Sequence, residues 1–375
     1  MRKSRIKYLC IYVKIILVGN LKKSINTGLF VTLASLVILS LIGILSVLSN
    51  GPASSPTTTI FNAPMRQIFV TNWASDSVSV INASNYTVVK IITGFKRPTG
   101  IVYLPNHGEV FVTNSGSNTV SVINTTTDTV IKNITVGLNP SDVVFYTNRS
   151  EAYVSNYNNS GNSTISVINT TTYAVKNTIP MWRIGGGVEG LAISPNGKYL
   201  LAAMYTTKYL AVINATTNEI VHYIQVGKGG HTPYDVVISP NGAYAYASTF
   251  DASYVYVINM TTYEVIKNIT IGGSSDIYGS ELAISPDGSA VIATNVSQSS
   301  HILGTASVIN TTTDSVEKVI YGLPSAYAVA FSPGGGEAII SEGFGGRSIS
   351  IINTITYEIV KRISVGGDPA GIAIT

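Results

Sequence analysis

Apolar and polar residues alternate in short runs along this chain, and the runs recur in groups of four at intervals of about 45 residues. In the fullest group they are GLAIS (190–194), KYLLAAM (198–204), YLAVIN (209–214) and EIVHYIQVG (219–227). Alternation with period two puts every second side chain on one face, which predicts strands. The first two runs are joined by SPNG (194–197, 239–242), SPDG (285–288) or SPGG (332–335). Proline presets the second turn position and glycine accepts the positive φ that follows, so each is a tight hairpin. The third run ends on Asn82, Asn124, Asn169, Asn214, Asn259, Asn310 or Asn353, spaced 42, 45, 45, 45, 51 and 43 apart. Seven units of this length predict a propeller or a similar array.

The two ends complete each other. GIAIT (371–375) matches the first run of a unit and stops, whereas Arg66 opens at the second run, RQIFVTN, with no first run before it. A C-terminal strand pairing with three N-terminal ones closes a ring and removes the open edges an unclosed array would present. An open solenoid would need polar caps instead. The predicted fold is therefore all-β: a seven-bladed β-propeller over residues 66–375, closed by the C-terminal strand.

The stretch VFVTNSGSNTVSVINTTTDTVIKNITVGLNPSDV (110–143) resembles the YVTN-type β-propeller repeat of archaeal and bacterial surface-layer and cell-surface proteins. The signature varies as FVTN (69–72, 111–114), YVSN (153–156) and IATN (292–295); the fourth, fifth and seventh units depart from it with LAAM, YAST and ISEG. No Trp-Asp dipeptide supports a WD repeat. The resemblance implies a fold and an exterior location, and it carries no reaction.

Composition changes the picture at the N-terminus. Only 11% of the 375 residues are charged, and mean hydropathy is +0.31. Much of this comes from Gly28 to Leu48, 21 residues without a charge. As a helix they would reach roughly 32 Å, enough for a bilayer core of about 30 Å. Seven basic residues precede the run: Arg2, Lys3, Arg5, Lys7, Lys14, Lys22 and Lys23. By the positive-inside rule the expected topology is a basic cytoplasmic segment (1–27), a single-pass transmembrane helix (28–48), a Ser/Thr/Pro-rich linker (49–65) and an extracellular propeller. A cleaved signal peptide is the alternative, disfavoured by the length of both the basic and the apolar regions. Without those seven, 16 Lys and Arg face 19 Asp and Glu, so no nucleic-acid partner is expected. The single cysteine, Cys10, leaves the exterior part without a disulfide, a thiolate metal site or covalent haem.

Two readings compete for the turn asparagines. Asn suits turn geometry regardless of modification, because its side chain hydrogen-bonds its own backbone two residues on. Yet Asn82, Asn124, Asn169, Asn214, Asn259 and Asn310 also begin Asn-x-Ser/Thr, as do Asn85, Asn133, Asn148, Asn158, Asn162, Asn268 and Asn295. In an exterior protein all thirteen are candidate glycosylation sites. Strand order puts the recurrent sequons on one face, with Asn85 and Asn148. Asn158, Asn162 and Asn295 fall in longer loops of the other face, where recognition usually resides.

On that second face the innermost strands begin with Gly100, Asp142, Gly190, Asp235, Glu281, Ala328 or Gly371. Asp142, Asp235 and Glu281 should thus surround the channel mouth, with His231 nearby as a candidate binding residue. Three carboxylates could hold a hard cation such as Ca²⁺, although capping of backbone amides is the preferred reading and no cofactor is expected. Trp73, Trp182, Tyr234 and Tyr327 are a candidate aromatic platform for a sugar or peptide. The chain is expected to be no enzyme but a structural and interaction module, meeting a cell-surface protein or glycan. The rival is a lactonase- or lyase-like propeller enzyme with its site at the same mouth.

Overall fold

The computed structural model describes residues 66–158, 160–181, 185–226, 232–272, 277–297 and 304–375. The expected transmembrane helix and linker, together with Trp182 and His231, lie outside these residues. No helix among the described residues is long and apolar enough to cross a membrane.

Among the described residues, 28 strands form seven four-stranded sheets. Six run from innermost to outermost strand in chain order, as in Val188–Ile193, Tyr199–Met204, Tyr209–Asn214 and Glu219–Gln225. The seventh joins the two ends. Pro369–Ile374 pairs with Gln67–Asn72, which continues to Ser77–Asn82 and Thr87–Thr93. Ile68 lies opposite Ile374 and Phe69 opposite Ala373. The Thr375 N–H donates to the Gln67 carbonyl (3.0 Å), and the Gln67 N–H donates to Thr375 Oγ1 (2.8 Å). Each innermost strand packs beside the next, and the seventh returns to the first. The fold is a closed seven-bladed β-propeller.

Burial follows strand position. The middle strands are packed on both faces, so Gln67–Asn72 and Ser77–Asn82 are buried throughout, whereas Thr87–Thr93 on the rim buries only Ile92. The core lies between blades: Phe69, Val78 and Val80 of one blade meet Val110, Val112 and Ile123 of the next. Each fully buried side chain of this kind stabilises by about 1.5–3 kcal/mol.

The YVTN-like signature acquires a physical meaning here. In every blade two residues of the innermost strand oppose one residue of the second, a β-bulge. The opposed residue is Thr71, Thr113, Ser155, Ala203, Ser248, Thr294 or Ser341, a hydroxyl in all but one blade. The Thr71 hydroxyl accepts from the Gly371 N–H (2.7 Å) and donates to the Thr99 carbonyl of the next blade (2.7 Å). Ser155 and Ser248 accept from the Asp142 and Asp235 N–H groups (2.9 and 3.1 Å). The asparagine that follows ties the second strand to the third: Asn72 Nδ2 donates to Ser77 and Ser79, Asn114 Nδ2 to Thr119 and Ser121, Asn156 Nδ2 to Thr164 and Ser166. In the ISEG unit Glu342 replaces it, accepting from Ser348, Ser350 and Arg362.

The turn asparagines serve the backbone. Asn124 Oδ1 accepts from the N–H groups of Thr126 (2.9 Å) and Thr127 (3.1 Å). Asn353, whose sequence is no sequon, makes the same pair of bonds to Ile355 (2.9 Å) and Thr356 (3.0 Å). The turn therefore selects asparagine whether or not a hydroxyl residue follows at the third place. The expected loop placement of one candidate is corrected. Asn295 belongs to the strand Ala290–Ser297 rather than to a loop and has no accessible surface, so the folded chain cannot present it to a glycosyltransferase.

Candidate binding site at the channel mouth

The bulges decide what lines the central channel. Because two consecutive residues oppose one, pairs such as Tyr234 with Asp235, or Glu189 with Gly190, both border one cavity of about 280 Å³. Its polar lining includes Asp142, Glu189, Asp235, Glu281, Tyr234 and Tyr327, and no Lys, Arg or His borders it among the described residues.

Asp142 and Asp235 join successive blades. Asp142 accepts from the N–H groups of Val143 (2.7 Å) and, in the next blade, Leu191 (2.9 Å). Asp235 repeats the pattern with Val236 (2.8 Å) and Leu282 (2.7 Å). Gly190 makes room for this arrangement: a Cβ there would lie 2.3 Å from Asp235 Oδ1. The glutamates are freer. Glu189 Oε2 accepts one bond, from Ser141 Oγ (2.5 Å), and Glu281 feels the charges of Asp235, Asp142 and Glu189.

Each carboxylate is half-buried by accessible surface, yet burial inside the ring is the largest influence on all four. It pushes Asp142 up to about 6 against the backbone amides of Leu191 and Val143. Glu189 rises to about 7, through burial and the nearby Asp142 charge, although the Ser141 hydrogen bond opposes the shift. Asp235 rises to about 7, again through burial and Asp142. Glu281 is raised well above its usual range by burial and by Asp235, Asp142 and Glu189. Like charges held in low dielectric keep part of the cluster protonated at neutral pH.

The aromatic candidates divide. Tyr234 and Tyr327 reach across the channel and share a hydrogen bond between their hydroxyls (2.7 Å). Tyr234 packs on Phe250 at 5.6 Å and on Tyr205 at 6.0 Å. Trp73, with Arg97 5.2 Å above its ring, instead borders a neighbouring and mostly apolar recess of about 330 Å³ with Tyr327 and Phe344. Thr99, Tyr327 and Ala370 border both spaces, so an apolar vestibule stands beside the acidic channel. Glu189 and Phe344 did not emerge from the sequence. Counting with period two finds one inward residue per innermost strand, and the bulge supplies the second.

Among the described residues no three His, Cys, Asp or Glu side chains converge as metal ligands. Asp142 and Asp235 spend both oxygens on amides, so they offer little to a cation that takes 6–8 oxygen ligands.

Ring, channel and bulged inner strands define the class: a seven-bladed β-propeller with an acidic channel mouth. No protein-family model and no curated protein matches the sequence. Solved structures do match in fold. The chain superposes on a putative 6-phosphogluconolactonase from Bacteroides uniformis with a TM-score of 0.67 at 16% identity, over 83% of this chain and 100% of that one. Hydrazine synthase from Kuenenia stuttgartiensis gives 0.65 at 19% identity, over 75% and 90%. The dihydro-heme d1 dehydrogenase NirN gives 0.60 at 14%, over 82% and 75%. At these identities the likeness establishes the fold.

Proposed function

We propose that this is a YVTN-type, membrane-anchored cell-surface module whose channel-mouth face binds a protein partner through a basic side chain. Residues 28–48 span the membrane with the N-terminus in the cytoplasm, residues 49–65 form the tether, and the propeller stands outside. The observation that carries the binding role is the pairing of two spaces. A cavity bordered by four carboxylates and two tyrosine hydroxyls opens beside an apolar recess walled by Trp73, Tyr327 and Phe344. A lysine or arginine next to an apolar side chain matches both, the cation entering the channel and its neighbour filling the vestibule. An anionic phosphosugar would meet four acids and no base.

Selection of random peptides displayed on phage against the purified chain tests this. Enrichment of Arg or Lys adjacent to an aromatic or aliphatic residue, lost on Glu189→Gln with Glu281→Gln, is expected; enrichment of acidic peptides would refute it. For the topology, a membrane-impermeant thiol reagent should leave Cys10 unlabelled on intact cells.

The raised Glu189 supports a second reading, a propeller hydrolase or lyase using that group as acid or base. It predicts turnover of neutral lactones that Glu189→Gln abolishes.

A further inference from the structure

On the rim between the fourth and fifth blades lies a groove of about 700 Å³, bordered by His222, Tyr223, Tyr254, Tyr256, Tyr263 and Asn268. Its aromatic character has a traceable origin. In three blades the asparagine of the signature is stapled to a Ser/Thr pair on the third strand. Blades four and five have Met204 and Thr249 in that place, and the pair becomes Tyr209 with Ala211 and Tyr254 with Tyr256. The staple and its partners differ together, and the crevice beside them is a row of rings. Tyr254 and Tyr256 lie 6.2 Å apart, and His222 stacks on Tyr263 at 5.1 Å with 24° between planes.

Asn268 sits in this row. It is exposed, it begins the sequon Asn268-Ile269-Thr270, and it lies directly opposite Tyr256 in the sheet. Directly paired residues share a face with Cβ atoms about 4.5–5.5 Å apart, so its amide starts where the rings are. A pyranose has an apolar face of C–H bonds and a polar equator of hydroxyls. Tyrosine faces attract the former through their negative quadrupole, while Gln225, Glu264 and Lys267 on the groove wall can hydrogen-bond the latter.

We infer that the groove is the seat of an N-linked glycan carried by Asn268, its first sugars packed on Tyr223, Tyr254 and Tyr263. This rests on the exterior location proposed above. The bond forms between Asn268 Nδ2 and the anomeric carbon of a sugar supplied by a lipid-phosphate-linked donor and a separate transferase. The anomeric carbon–oxygen bond breaks, the lipid phosphate leaves with its electron pair, and the amide proton passes to the transferase base. Asn133 provides an internal control. It holds the same place in its own blade's outermost strand and is also an exposed sequon, but it pairs with Ser121, whose hydroxyl donates to its Oδ1 (2.7 Å).

The test uses the full chain from a host with N-glycosylation, read by glycopeptide mass spectrometry and by unfolding midpoints before and after enzymatic deglycosylation. Asn268 should be occupied, and Asn268→Gln should remove a stabilisation of about 2–4 °C. Thr270→Ser should retain the glycan. In Tyr254→Leu, deglycosylation should no longer move the midpoint, a within-variant difference independent of any cost of the substitution itself. Asn133→Gln should leave the glycan-dependent shift intact. Occupancy at other sequons with Asn268 bare, or an occupied Asn268 whose glycan leaves the midpoint unchanged, overturns the inference alone. A chain with no glycan anywhere overturns it together with the glycoprotein reading of the exterior.

Discussion

Raising the pH from 5 to 8 should destabilise this protein, and Glu189→Gln should cancel part of the loss. The Glu189 carboxyl stands at about 7 in the folded chain against an ordinary 4.5, burial being the main cause. A group whose folded value lies above its unfolded one binds protons more readily when folded. Its stabilising share is complete below the unfolded value and is lost as pH rises through the folded value. At about 1.4 kcal/mol per tenfold change in proton affinity, Glu189 alone accounts for about 3 kcal/mol. Asp142, at about 6, and Asp235, at about 7, act in the same direction and window. The three interact, so their joint effect is smaller than the sum of separate ones. With an unfolding entropy near 2.1 cal/mol/K per residue over the ~310 propeller residues, about 3 kcal/mol corresponds to a fall of roughly 4–5 °C in Tm. The glutamine side chain introduced by this substitution cannot ionise but can still accept from Ser141. The variant should therefore match the wild type at pH 5 and exceed it by about 4 °C at pH 8, measured by circular dichroism melts at constant ionic strength. A wild-type Tm that stays flat or climbs between pH 5 and 8, or a variant less stable at pH 8, would refute the reasoning.

The remaining predictions concern the joints between blades and the sequons. Asp142→Ala leaves the Val143 and Leu191 N–H groups without their acceptor and should cost about 2–5 kcal/mol in urea unfolding, since each buried orphan costs about 1–3. Gly190→Ala brings a Cβ within 2.3 Å of Asp235 Oδ1 and 2.7 Å of its Cα. It should cost about 1–3 kcal/mol or more, and an unchanged urea midpoint would show that the two inner strands do not approach as described. Glycopeptide mapping of the folded chain should find Asn295 unmodified, because it is wholly buried.

The ring was legible in the sequence because a propeller repeats its turns at fixed intervals. SPNG, the terminal asparagines and the incomplete units at the two ends suffice to count the blades and close them. The signature residues were legible as a pattern, but not their purpose. That Thr71 plugs a bulge while Asn72 staples two strands depends on partners up to 300 residues away in the chain. The channel mouth was half legible. Asp142, Asp235 and Glu281 fall on a regular inward position, whereas Glu189 joins them only because a bulge turns a second residue toward the axis. Asn295 misled for a related reason: the polar run NVSQSS reads as a loop, yet Ala290–Ser297 and Gly304–Asn310 extend beyond the strands of other blades.

Everything assigned to one face or the other follows from the closing strand, and hydrogen exchange of the intact chain tests it most directly. Amides of Gly371 and Thr375, which donate to Thr71 Oγ1 and to the Gln67 carbonyl, and of Ala373 on the same edge between them should be protected far beyond a free peptide, as those of Leu200 to Ala203 in the fourth blade are, because the end strands are paired in one sheet. Exchange of residues 369–375 at the rate of a free peptide, with the other blades still protected, would contradict a closed ring.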